Sequence, residues 1–174
     1  MNIKETIEAF EQKLAQINQS LEIIICGGAA IHLLGYSNRP TKDIDVLLPK
    51  LPDFLTPLIE DIAQENQLPK DWLNNGPQNL IYDLETGWEE RLTVIHKGNH
   101  LTIKVLNRQD LIFSKLYAMC DRRQDIQDLL AMKITEKELQ IAGEHVKQMD
   151  GNPDRPSWVD VCISEVLEQR GEHE

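Results

Sequence analysis

Two aspartates one residue apart, Asp43 and Asp45, stand in the apolar run "KDIDVLLP". In an extended strand they project to one face, about 6–7 Å apart, while Ile44, Val46 and Leu48 project to the other, towards a core. Two carboxylates on one face repel unless a cation sits between them. A divalent metal held by aspartates and nucleotide phosphates is a standard arrangement. Two such metals, about 3.5–4 Å apart, can activate an attacking hydroxyl and stabilise a leaving pyrophosphate. Upstream, Gly27 and Gly28 separate an apolar run from a short helical pattern. Lacking side chains, they let backbone N–H groups approach a phosphate, and the start of a helix favours an anion. Arg39, Thr41 and Lys42, in the intervening loop, offer further phosphate contacts. Each feature alone has a plain alternative: a Gly pair after a strand is a common turn, and Asp-Ile-Asp is often a solvated strand face. Their order and spacing together favour a nucleotide and metal site.

Regular elements must hold these residues. Ile3, Ile7, Phe10, Leu14 and Ile17 form one stripe of an amphipathic helix. Leu21–Cys26 is short, apolar and β-branched, as a buried strand is. "AAIHLLG" predicts a short helix closed by Gly35, "YSNRPT" a loop and "KDIDVLL" a second strand ended by Pro49. "PDFLTPLIEDIAQENQ" predicts a helix with Leu55, Leu58, Ile59 and Ile62 on one face. Over residues 68–90 only the "NNGPQN" turn is clear, with "LIYDLE" as a candidate strand. "RLTVIH" and "HLTIKVL" flank "KGN" as a β-hairpin. From Arg108 on the pattern is helical, through "RQDLIFSKLYAMCD", "QDIQDLLAM", "TEKELQIAGEHVKQMD" and, after the break "GNPDRP", "SWVDVCISEVLEQRG". The expected fold class is α+β: a small mixed sheet flanked by helices over residues 1–106, and a helical C-terminal subdomain, 107–174, packed on it as a single compact unit.

The 174 residues suffice for one domain with a proper core. No apolar run reaches the length of a membrane span, and the N-terminus lacks the apolar core of a secretory signal. The three cysteines, Cys26, Cys120 and Cys162, are far apart with no metal-ligand spacing, which fits buried thiols in a reducing cytoplasm. A net charge of −11 disfavours sequence-independent binding to long nucleic acid and favours a nucleotide, a protein or a small molecule as partner, without excluding a single RNA end.

"GGAAIHLLGYSNRPTKDIDVLL" resembles the signature of the nucleotidyltransferase superfamily of the DNA polymerase β type. There a Gly pair, a short helix and an Asp-hydrophobic-Asp strand form the nucleotide and metal site. The Arg-x-Thr-x-Asp-x-Asp form, Arg39 to Asp45, is most similar to bacterial members, including abortive-infection toxin nucleotidyltransferases. "GWEERL", the hairpin, "LNRQDLIFSKLYAMCDRRQDIQDLLAM" and "MDGNPDRP" are similar to a group of small bacterial relatives, so the likeness covers most of the chain. It implies a nucleotidyltransferase fold, a nucleoside triphosphate substrate and Mg²⁺ or Mn²⁺ as cofactor, with Asp43 and Asp45 as ligands. It leaves the acceptor open among an RNA end, a protein hydroxyl and a small molecule.

In the toxin relatives a Lys on a similar helix and a later Asp belong to the active site. By position these are Lys115 and Asp125, with Asp128 as second choice; the alternative is a Lys115 that snorkels from its helix and an Asp125 that caps the next. Family enzymes usually add a third metal-binding carboxylate on a later strand. In "HLTIKVL" the matching position is Lys104 or Thr102, neither of which replaces a carboxylate, and Asp83 in "IYDLE" has suitable apolar neighbours. Two functions follow: a cytoplasmic metal-dependent nucleotidyltransferase, or a degenerate module of the same fold acting through a protein partner, for example in a toxin–antitoxin pair. His32, His96, His100, His145 and His173 show no zinc-like spacing, the serines lack a nucleophile elbow, and Trp72, Trp88 and Trp158 are expected in the core.

Overall fold

The four- and three-residue spacing of the first stripe winds into helix α1, Ile3–Gln16, which buries Ile3, Ile7, Phe10 and Leu14. Ile17, expected to extend the stripe, is 42% exposed. The helix stops before it: Asn18 takes a left-handed φ of 52°, and the N–H groups of Asn18 and Gln19 turn back to the carbonyls of Ala15 and Leu14. These positions come from a computed structural model that describes residues 2–123, 125–149 and 151–172. The chain divides into two compact units, Met1–Asn107 and Arg108–Glu174.

The first unit is built on five strands: β1 (Leu21–Cys26), β2 (Ile44–Leu48), β3 (Leu73–Asn74), β4 (Thr93–Lys97) and β5 (Leu101–Val105). Their order is β3-β2-β1-β5-β4. The central pairs are β1 with β2, antiparallel, and β1 with β5, parallel; β3 runs parallel to β2 and β4 antiparallel to β5. Helix α2, Gly27–Leu33, follows β1 at once. It ends as the sequence predicts, on Gly35 at φ 79°, with the N–H groups of Gly35 and Tyr36 donating to the carbonyls of His32 and Ile31. Helix α3, Thr56–Glu65, buries Ile62 and Ala63.

One face of the sheet carries Ile23 and Ile25 beside Ile103 and Val105, with Val46 opposite Ile25, all buried. Burying each such side chain stabilises the fold by about 1.5–3 kcal/mol. Trp72 extends this core: it is wholly buried, meets Phe10 edge-on at 5.9 Å, and its indole N–H donates to the Ile59 carbonyl at 3.0 Å. Simple alternation fails at the end of β2. Ile24 pairs with Leu48 but Ile25 with Val46, so Leu47 is an extra residue on β2, a bulge. Leu47 is therefore buried, and Leu48, expected inward, is only half-buried.

The second unit comprises α4 (Arg108–Arg122), α5 (Ile126–Ala131), α6 (Glu136–Lys147) and α7 (Arg155–Glu172). Leu111, Leu116, Leu129, Leu139, Val146, Val159 and Val166 are all fully buried. The sequence "TEKE" forms a capping box: Thr135 Oγ1 accepts from the Glu138 N–H at 3.2 Å, and Glu138 Oε2 accepts from the Thr135 N–H at 2.8 Å. Arg108 completes it with a bidentate bond to Glu138, 2.6 Å from Nε to Oε1 and 3.2 Å from Nη2 to Oε2.

The Arg108 bond, aided by Thr135 and opposed by burial, brings the Glu138 carboxyl from its usual 4.5 down to about 2. A carboxyl that holds its proton less tightly folded than unfolded stabilises the fold above pH 4.5, and that contribution is lost as pH falls towards 2. Glu138→Gln is thus expected to be less stable than the wild type at neutral pH, with the gap narrowing in acid. Urea denaturation at stepped pH measures it.

Candidate active site

The first unit brings the glycine turn and the second aspartate together. Cys26, the last residue of β1, pairs with Asp45 of β2. Asp45 is half-buried and lies on the sheet face opposite the Ile25–Val46 core pair. Gly27 follows with φ 70°, and a Cβ placed on it would lie 2.5 Å from Asp45 Oδ2. Only glycine allows both that φ and that approach. Gly28 lies next to the loop, where a Cβ would stand 3.6 Å from Thr41 Oγ1. The Thr41 hydroxyl in turn donates to the Asp43 carbonyl at 2.9 Å, which fixes the approach to β2. Asp43 itself is exposed and stands one residue before the strand begins. Arg39 and Lys42 are exposed on the same loop.

Gly27→Ala tests this packing. The added methyl group must displace the Asp45 carboxylate and adopt a left-handed backbone, which costs about 1–2 kcal/mol. A loss of that size in the free energy of unfolding by urea is expected, with any activity at Asp45 lost along with it.

Asp83 lies elsewhere than "LIYDLE" suggests. Gln78–Tyr82 is a 3₁₀ turn, not a strand, and Asp83 sits at its C-terminal end, half-buried. The turn is set by the Leu80 N–H donating to Pro77 and the Asp83 N–H donating to Leu80. On β5, Lys104 pairs with Glu22 at 2.7 Å. Extending the β1–β5 register by one residue sets fully buried Leu106 beside Cys26. That sheet position is two strands from Asp45 on its own face, and it is apolar. Among the described residues no three His, Cys, Asp or Glu side chains group as a metal site.

Three residues of the "NNG" stretch carry no signal as site residues in the sequence. Asn74 of β3 pairs with Asp45 of β2. A Cβ on Gly76 would lie 2.9 Å from Asn74 Oδ1 and 3.8 Å from Asp45 Oδ1. Asn75 anchors the turn: its Nδ2 donates to the Val46 and Pro49 carbonyls, and its Oδ1 accepts from the Leu51 N–H. "NNG" reads locally as a turn; its pairing with β2 is a tertiary fact.

The second unit holds the other predicted residues. Lys115 Nζ contacts Asp125 Oδ1 at 2.7 Å and Asp128 Oδ2 at 2.6 Å, and Arg122 reaches Asp125 Oδ2 at 3.1 Å. Lys115 and Asp128 are buried. Lys115 therefore does not snorkel, and Asp125, at the N-cap of α5, makes no side-chain capping bond. Burial alone would push the Lys115 ammonium down, but hydrogen bonds and charge from both aspartates hold it above the usual lysine value. His96 bonds Glu11 at 2.6 Å and His145 stacks on Phe113 at 4.2 Å, while His173 lies outside the described residues. Trp72 and Trp88 are core residues, but Trp158 is 40% exposed. Its indole donates to the Cys120 carbonyl, and Arg123 lies over the ring at 4.4 Å. All three cysteines are buried thiols outside any disulfide.

A mixed sheet in which a glycine-led helix leaves one strand and faces an aspartate on the antiparallel neighbour is a nucleotidyltransferase-like fold. The chain belongs to the family described as nucleotidyltransferase of unknown function (DUF6036), whose model matches residues 2–153. Membership supports a general role in nucleotidyl transfer, with a nucleotide as substrate. No match is found among curated proteins or solved structures. No described helix is long and apolar enough to cross a membrane.

Proposed function

We propose that the protein transfers a nucleoside monophosphate from a nucleoside triphosphate to a hydroxyl acceptor, with release of pyrophosphate, as in the polymerase β type and its toxin relatives. The observation that carries this reading is the Asp45 carboxylate set against Gly27 at the head of α2. Two hard carboxylates and a glycine cradle fit a Mg²⁺ or Mn²⁺ ion, which Asp43 and Asp45 would hold. The ion would supply charge neutralisation at the phosphates. Gly27 and Gly28 leave backbone N–H groups open to the triphosphate. Arg39 and Lys42 bind its outer oxygens from the loop, whose course the Thr41 hydroxyl fixes through its bond to the Asp43 carbonyl. These groups position the α-phosphate for the acceptor oxygen, and positioning of this kind supplies a large part of such rate enhancements.

A second reading rests on β5, where neither Lys104 nor Thr102, the positions that match the family's third acid, is a carboxylate, and after which Leu106 is apolar. It makes the protein a degenerate module of the same fold that works through a protein partner, as one half of a toxin–antitoxin pair. Incubation with α-labelled triphosphates, Mg²⁺ and separated RNA, protein and small-molecule fractions of a cell extract distinguishes the two. Label entering one fraction supports the enzyme and names the acceptor class. No label in any fraction, with a partner co-purifying, supports the module.

A further inference from the structure

We infer that Asn74 is a further ligand, through Oδ1, for the divalent ion held by Asp43 and Asp45; this rests on the nucleotidyl-transfer reading of the site. Residues paired across a parallel ladder share a face, and Asn74 is the partner of Asp45. Each side chain also presents an oxygen near one point. The point where a Cβ of Gly76 would sit is 2.9 Å from Asn74 Oδ1 and 3.8 Å from Asp45 Oδ1. A glycine leaves that point open. On its other side the same carboxylate meets Gly27, through Oδ2. Asp45 is thus flanked by two residues without side chains, as an oxygen meant to meet an ion requires.

The amide is held in the orientation this role needs. Asn74 Nδ2 donates to the Asp71 carbonyl at 3.2 Å, and Oδ1 accepts from the Gly76 N–H at 2.6 Å. These two bonds distinguish oxygen from nitrogen and turn the oxygen towards Gly76. An amide oxygen has a second lone pair, so it can bind a cation without giving up the Gly76 bond. Amide carbonyls are ordinary ligands of hard divalent ions. Asn74 would supply a third protein oxygen from β3, and a neutral one, while β5 offers apolar Leu106. The ligand set would then carry one negative charge fewer than three carboxylates.

Mn²⁺ alone, titrated into the full chain and followed by the electron paramagnetic resonance of the free ion, tests this without reference to activity. Asn74→Ala is expected to weaken Mn²⁺ binding about tenfold. Asn74→Asp gives up the Nδ2 bond to the Asp71 carbonyl but keeps the acceptor for the Gly76 N–H and adds a charge, and the charge is expected to tighten Mn²⁺ binding about tenfold. Its melting temperature without metal guards against a folding defect. A structural role for Asn74 would lower metal-free stability in Asn74→Ala and leave Asn74→Asp no tighter than the wild type. If both variants bind Mn²⁺ like the wild type while Asp45→Asn has lost it, Asn74 is not a ligand and the nucleotidyl-transfer site stands. If the wild type binds no Mn²⁺, both fall together.

Discussion

Asp45→Asn is expected to lower nucleotidyl transfer by about 10²–10³-fold, the loss typical when one group that stabilises transition-state charge is removed. The change is isosteric, and Asp45 lies outside the Ile25–Val46 core, half-buried beside Gly27. The loss of activity is therefore expected to exceed the change in folding. Steady-state transfer rates and urea denaturation on the same preparation read the two effects apart. An active Asp45→Asn variant would remove the carboxylate from the chemistry. A variant that loses activity only through unfolding would make Asp45 structural.

Lys115→Ala is expected to have the largest effect on stability. It takes the Lys115 ammonium from buried Asp128 and leaves Asp125 with Arg122 alone. Removing one partner of a buried ion cluster typically costs about 3–5 kcal/mol. The pH dependence has a definite sign. Burial opposes the charge on Lys115, but the two aspartates raise its pKa above the usual 10.5. The cluster therefore contributes fully below pH 10.5 and is lost as pH rises through the higher folded value. Urea titrations of wild type and variant should converge in strong alkali.

The same residues separate two roles for the cluster. Lys115→Met with Asp125→Asn and Asp128→Asn removes the stranded charges and should recover much of the lost stability. If transfer activity returns with stability, the cluster is a structural tie within the helical unit. If stability returns and activity does not, Lys115 serves the reaction.

What the sequence revealed was local. The Gly35 end of α2 is written in adjacent residues and formed as read, and the capping box at Thr135, though not singled out in the sequence, is equally local. The hairpin around "KGN" and the first four positions of the α1 stripe are equally local. The Gly27–Asp45 approach was legible as two motifs in order, though not as a 2.5 Å constraint. What escaped was set by tertiary pairing. The bulge at Leu47 arises from how β1 and β2 register, and it reverses the expected burial of Leu47 and Leu48. "LIYDLE" has a strand's composition, but Pro77 favours a 3₁₀ turn, which removes Asp83 from any ladder. Asn74 and Gly76 look like turn residues until β3 is laid beside β2. Trp158 reads as core by composition, yet an indole donor bound to Cys120 and an Arg123 overlay satisfy it near the surface.

The most direct measurement is a crystal structure grown with Mn²⁺ and an ATP analogue that cannot be cleaved between the α- and β-phosphates, with anomalous data at the manganese edge. An anomalous peak at the carboxylates of Asp43 and Asp45, with the triphosphate lying against the backbone of Gly27 and Gly28, is the expected result. A nucleotide bound elsewhere, or a metal that avoids both aspartates, would contradict it.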